Sequence, residues 1–164
     1  MKLYFREKIF TWFDSYDIFD ENRRKVFQVK GKLSWGHKHV IYDAKGNEVG
    51  MVKEKILDIL PTFDLYMDGK KVGSMKKKLT ILRPKFDIDF NGWVIDGNWM
   101  EWDYSICDKK GREVAVVSKA LIHLTDHYKI DVKNEDDALG ALMVVLAIDA
   151  EKCRREKDKE GAIR

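Results

Sequence analysis

Asn134-Glu135-Asp136-Asp137-Ala138-Leu139-Gly140-Ala141-Leu142-Met143-Val144-Val145-Leu146-Ala147-Ile148-Asp149 is the stretch on which the fold turns. Asn134 suits a helix N-cap, and the acids behind it suit the positive end of a helix dipole. From Ala138 to Ile148 eleven residues follow without a charge. A helix apolar on every side must be buried on every side. Eleven residues span about 16 Å, half the thickness of a membrane core. The helix is therefore enclosed by protein, and the rest of the chain reads as sheet. A sheet that surrounds a helix is a barrel with the helix, about residues 135–150, through its middle.

The sheet announces itself by a recurring pattern. Ile41-Tyr42-Asp43-Ala44-Lys45-Gly46-Asn47-Glu48-Val49 returns as Ile106-Cys107-Asp108-Lys109-Lys110-Gly111-Arg112-Glu113-Val114. Ile18-Phe19-Asp20-Glu21-Asn22-Arg23-Arg24-Lys25-Val26 is a looser copy and Tyr66-Met67-Asp68-Gly69-Lys70-Lys71-Val72 a shortened one. Each joins two alternating apolar runs through Asp and usually Gly or Asn, a β-hairpin signature. Runs after the turns end in lysine, at Lys30, Lys53 and Lys119. Further alternating runs lie at Lys85–Phe90, Trp93–Ile95, Trp102–Ile106 and Tyr128–Val132, about ten to twelve strands in all. The copies are irregularly spaced, so they are hairpins of one sheet and not a solenoid.

Composition bounds the class. The chain has 164 residues, 45% hydrophobic and 36% charged, with a net charge of +3. That suits one folded domain, residues 1–150, with a charged tail at 151–164 that leaves the core as solvated helix or as disorder. Two cysteines make no disulfide framework, the first apolar run is interrupted by Lys2, Arg6, Glu7 and Lys8, and no run is long enough for a membrane span. A soluble cytoplasmic domain is expected. The charge is distributed in blocks: residues 69–85 carry seven basic groups and no acid, whereas residues 86–150 carry thirteen acids against six basic groups.

In their order along the chain, several segments resemble the LURP-one-related family of tubby C-terminal-like fold. They are Ile18-Phe19-Asp20, Val29-Lys30-Gly31-Lys32-Leu33-Ser34, Lys45-Gly46-Asn47-Glu48-Val49-Gly50 and Leu60-Pro61-Thr62. Lys85-Phe86-Asp87-Ile88, Gly97-Asn98-Trp99-Met100, Val117-Ser118-Lys119, Tyr128-Lys129-Ile130-Asp131 and the apolar helix ending in Asp149 complete the set. The likeness runs from about Tyr4 to Asp149. It implies a mostly β (α+β) fold, a closed antiparallel barrel of about twelve strands around a buried hydrophobic C-terminal helix. The superfamily includes tubby-like proteins, which bind phosphoinositides, and phospholipid scramblases. The family has no assigned catalytic residues, so the resemblance implies a non-enzymatic binding or regulatory module.

Candidate chemistry is thin. His37 with His39, and His123 with His127, lack the further ligands of a zinc site, and Leu124 stands where H-E-x-x-H needs Glu. Cys107 adjoins Asp108, which raises rather than lowers a thiol pKa, and Cys153 lies in the charged tail. Asp87 and Asp89 share a strand face, as solvated acids do, and the other acid pairs, Glu101 with Asp103 and Asp136 with Asp137, read the same way. The sequence has no G-x-S-x-G, Walker A or G-x-G-x-x-G motif. Trp12, Trp35, Trp93, Trp99 and Trp102 read as core and rim; acids among the last three argue against a nucleic-acid face. No metal or cofactor is expected. The remaining candidate is the basic hairpin, Lys70, Lys71, Lys76, Lys77, Lys78, Arg83 and Lys85, as a site for anionic phospholipid on a peripheral membrane surface. A protein partner contacting barrel loops or the tail is the alternative, and an enzyme with an unrecognised site is a third reading.

Overall fold

The computed structural model describes residues 1–6, 15–32, 34–80, 84–120 and 127–162. Its strands are β1 (Lys2–Arg6), β2 (Ser15–Phe19), β3 (Lys25–Gly31), β4 (Lys38–Asp43), β5 (Glu48–Lys55) and β6 (Thr62–Met67). They continue as β7 (Lys70–Lys78), β8 (Lys85–Asp89), β9 (Val94–Asn98), β10 (Asp103–Cys107), β11 (Glu113–Ala120) and β12 (His127–Val132), before helix α1 (Ala138–Ala162). All twelve form one sheet in the order β8-β7-β6-β5-β4-β3-β2-β1-β12-β11-β10-β9. Each ladder is antiparallel; Leu3 faces Ile130 and Phe5 faces Tyr128 where the first strand meets the last.

The sheet curls into a barrel that is nearly closed. Among the described residues β8 and β9 share no ladder, so full closure does not hold. The seam is filled by rings instead. Trp99 Nε1–H donates to the Pro84 carbonyl at 2.7 Å, and its indole lies against Phe86 with centroids 5.1 Å apart. Phe90 and Trp93 meet edge to face at 5.0 Å at the β8–β9 corner. These aromatic contacts cover the core where main-chain bonds do not.

The recurring sequence pattern has a common structure. Asp43 accepts from the backbone N–H of Lys45 and Asn47 and from the Asn47 side chain. Asp108 does the same with Lys110, Arg112 and the Arg112 Nε–H, and Asp20 with Asn22, Arg24 and the Arg24 Nε–H. One carboxylate thus ties three donors and fixes the hairpin register. The fourth position of each turn is left-handed: φ is +87° at Gly46, +75° at Gly111 and +61° at Arg23. The looser third copy therefore holds an arginine in a conformation that suits glycine. Asp68 and Gly69, both left-handed, make the two-residue version.

In an antiparallel meander every second connection lies at the same end. The Asp turns, the β8–β9 corner and the start of α1 share one end of the barrel, called here the turn end. The longer connections 32–37, 56–61, 79–84 and 99–102 share the other, the loop end. Asn134 caps a 3-10 turn, Glu135–Asp137, by accepting from the Asp136 N–H, and α1 enters the barrel from there. Gly140 to Glu151 are twelve consecutive buried residues, three turns enclosed on all sides. Leu3, Ile18, Val29, Ile41, Val52, Leu65, Met75, Ile106, Val117 and Ile130 face the helix from alternate strand positions. The helix does not stop near residue 150. It runs to Ala162, so residues 151–162 continue the element that fills the core.

Candidate functional site

The two ends differ in chemistry. At the loop end, Lys32 N–H donates to the Lys38 carbonyl at 2.9 Å, and Lys38 stands opposite Lys53 in the β4–β5 ladder. Lys32, Lys38 and Lys53 thus form one cross-strand row. The inward positions of these strands are Val29, Ile41 and Val52, so alternation puts the row on the outer face. Like charges directly opposite each other destabilise a sheet. None of the three has a carboxylate within ion-pair distance among the described residues. The acid next in the row, Asp64 opposite Lys53, is held by Lys71 at 2.7 Å. A second like-charge pair, Lys78 opposite Lys85, lies at the same end of the β7–β8 ladder.

The basic hairpin is not one patch. Lys70 and Lys71 stand at the turn end of β7, and Lys76, Lys77, Lys78 and Lys85 at the loop end. Eight steps of strand separate Lys70 from Lys78, about 26 Å. Lys77 points inward and meets buried Glu151 at 2.5 Å. Lys78 pairs with Asp87 at 3.4 Å, so an acid from the following block partly neutralises it. Arg83 lies outside the described residues. The loop-end lysines of β7 and β8 instead join Lys32, Lys38, Lys53 and Lys55, which the hairpin reading omitted. Of the lysines that close strand runs in the sequence only Lys53 belongs to the row; Lys32 follows β3 and Lys38 opens β4, so the row assembles only when the three segments align.

Apolar side chains crown the same end. Trp35, Leu57, Ile59 and Leu79 are 84%, 92%, 102% and 82% exposed, on three successive loop-end connections. The first two of those connections lie close together, and each is bonded to a strand. The Glu54 N–H donates to the His37 carbonyl at 2.8 Å and the Lys77 N–H to the Pro61 carbonyl at 2.9 Å. A Cβ on Gly36 would come within 2.8 Å of Ile56 Cγ2.

Where α1 leaves the barrel, charged groups close the mouth. Glu151 is fully buried and accepts from Lys77 and, at 3.0 Å, from Arg154 Nε–H. Glu54, pointing inward, meets His37 Nδ1 at 2.7 Å, and its pKa is lowered by that bond and by Arg154 despite burial. Lys152 donates to the Met100 carbonyl at 2.7 Å and lies 4.3 Å from the Trp102 ring centre. Trp102 stacks on Tyr128 at 4.5 Å. Deeper, Asp149 is buried; burial first and its carboxylate second push the Tyr16 and Tyr104 phenols well above their usual range. Those phenols therefore stay protonated at neutral pH.

The other sequence candidates divide between core and surface. Trp93, Trp99 and Trp102 are core, whereas Trp35 is the exposed exception, and Trp12 lies outside the described residues. His37 and His39 are buried, and His123 lies outside the described residues. Burial first, then Asp96, Glu113 and Asp108, raise the Cys107 thiol pKa, which makes it a poor nucleophile at neutral pH. Cys153 lies 3.9 Å from Asp149 Oδ2 on α1. Among the described residues no group of three or more His, Cys, Asp or Glu side chains could hold a metal ion. No described helix is long and apolar enough to cross a membrane.

Comparison with known proteins agrees with this architecture. The family model described as LURP-one-related matches residues 1–149. The uncharacterized protein YxjI of Bacillus subtilis is 27% identical over 150 residues, covering 91% of this chain and 92% of that one. A solved Arabidopsis thaliana protein superposes with a TM-score of 0.63 at 18% identity, over 92% of this chain and 90% of the other, a likeness of fold. The chain belongs to the LURP-one-related family.

Proposed function

We propose that this LURP-one-related chain is a non-enzymatic binding module that docks on anionic phospholipid surfaces with the loop end of its barrel. The observation that carries the reading is the lysine row Lys32, Lys38 and Lys53, joined at the same end by Lys76 and Lys85 and by Lys55 and Lys78, which are paired with Asp58 and Asp87. A fold that holds lysines opposite one another, against the usual rule of cross-strand pairing, keeps them for a partner that supplies the negative charge. Each basic group near an anionic membrane adds about fivefold to binding. Lysines spread around the loop end on five strands suit a surface of many headgroups better than one phosphate in a pocket. The buried, protonated tyrosines and the raised thiol favour a scaffold over an active site.

The test is co-sedimentation of the full chain with phosphatidylserine-containing and with pure phosphatidylcholine vesicles at rising salt. Charge-driven docking predicts pelleting with the anionic vesicles alone, weakening steeply with salt. Equal binding to both vesicle types, or to neither, rules out the reading.

A further inference from the structure

We infer that the loop end does more than rest on headgroups: Trp35, Leu57, Ile59 and Leu79 enter the boundary between headgroups and acyl chains, standing the barrel on end against the bilayer. This rests on the membrane reading above and adds a hydrophobic component to it. Among the described residues, these are the large apolar side chains more than four-fifths exposed. Scattered exposed apolar residues are ordinary, but these four sit on three successive connections at one end, two of which are bonded to an adjoining strand. The turn end offers no equal: its Asp turns close on their own carboxylates, Phe90 and Trp93 of its β8–β9 corner are buried, and its large apolar side chains, Phe19, Val72 and Val94, are no more than about half exposed.

Charge decides the occupant. Lys32, Lys53, Lys76 and Lys78 flank the apolar tips, and the one acid between Leu57 and Ile59, Asp58, is paired with Lys55 at 3.5 Å, so the rim keeps a basic excess that meets anionic headgroups first and acyl chains next. A second copy would bring the same lysines against these, at a like-charge penalty. The emerging helix adds Arg154 and Arg155 beside the mouth, with Arg154 already anchored to Glu151. The tips are thus mounted on a rim fixed from inside, since Lys77, which bonds Pro61 through its backbone, is tied to the helix through its side chain.

Trp35 supplies the reporter. The full chain is titrated with anionic vesicles carrying brominated acyl chains, which quench indoles at acyl depth. In a Trp12→Phe background, quenching is expected with Trp35 present and its loss on adding Trp35→Phe, because Trp93, Trp99 and Trp102 are buried. A Leu57→Ser/Ile59→Ser variant should partition at least about tenfold more weakly, at an unchanged melting temperature because both side chains are already in water. Anionic-vesicle binding with no Trp35-dependent quenching, and no loss in the double variant, overturns insertion while leaving charge docking intact. Absence of binding to any vesicle overturns both. Self-association in sedimentation velocity that the double variant abolishes, without any effect on vesicles, assigns the tips to a second copy and overturns insertion.

Discussion

Replacing Glu151 by alanine should cost far more than the loss of a charge from a solvated tail. The carboxylate is 0% exposed and lies between Lys77 and Arg154, whose side chains are 16% and 34% exposed. Removing it strips a nearly buried ammonium of its counter-charge inside the barrel mouth. Breaking a buried pair from one side costs about 3–5 kcal/mol. With a urea slope of about 2 kcal/mol/M, the midpoint falls by about 1.5–2.5 M. The melting temperature falls by about 10 °C. Replacing both partners, Glu151→Met with Lys77→Met, removes the unpaired charge and should recover most of the loss, since apolar substitutes for buried pairs are near neutral. Urea denaturation followed by circular dichroism on Glu151→Met, Lys77→Met and the double variant measures the coupling directly. A loss below about 1 kcal/mol for Glu151→Ala would place the pair in solvent and mean that α1 leaves the barrel before residue 151.

Other perturbations read other parts of the fold. His39, buried on β4, has its pKa pushed from 6.5 to about 4 by burial and then by His37. The unfolded chain takes up that proton first, so about 3 kcal/mol of stability present above pH 6.5 is lost as pH falls toward 4. His39→Leu should remove that slope, and a native chain equally stable at both pH values refutes the burial. Arg23→Gly relieves a left-handed residue, worth about 1–2 kcal/mol, against about 0.5–1 kcal/mol of glycine entropy. A small gain in chemical stability is expected, and a clear loss contradicts the shared turn geometry. Ala141→Asp places a charge at a 0% exposed position in the barrel centre and should abolish folding; a cooperative, soluble variant means the helix is not enclosed.

The fold was legible where one residue type has one physical use. Eleven uncharged residues from Ala138 admit only a surrounded helix, and Asp43, Asp108 and Asp20 each satisfy donors within four residues of themselves. Such local chemistry is written in the order of the chain. What was hidden depends on partners far apart in sequence. Glu151 reads as a tail residue until Lys77, 74 positions earlier, is brought to it. The same contact removes Lys77 from a basic patch that sequence proximity had assembled. The seam is invisible in the alternation of β8 and β9, because ring packing by Phe86, Phe90, Trp93 and Trp99 replaces a ladder. The lysine row eluded the block count for the opposite reason. Its members are isolated in three strands and meet only through register.

The most direct test separates the position of charge from its amount. Lys32, Lys38 and Lys53, all changed to Glu, reverse three charges at the loop end. Lys45, Lys109 and Lys110, all changed to Glu, reverse three at the turn end. The two variants have the same net charge, so both are measured against anionic vesicles in one buffer. The loop-end variant should lose roughly a hundredfold in partition and the turn-end variant only a few-fold. Equal losses in the two variants would contradict a binding face at the loop end of the barrel.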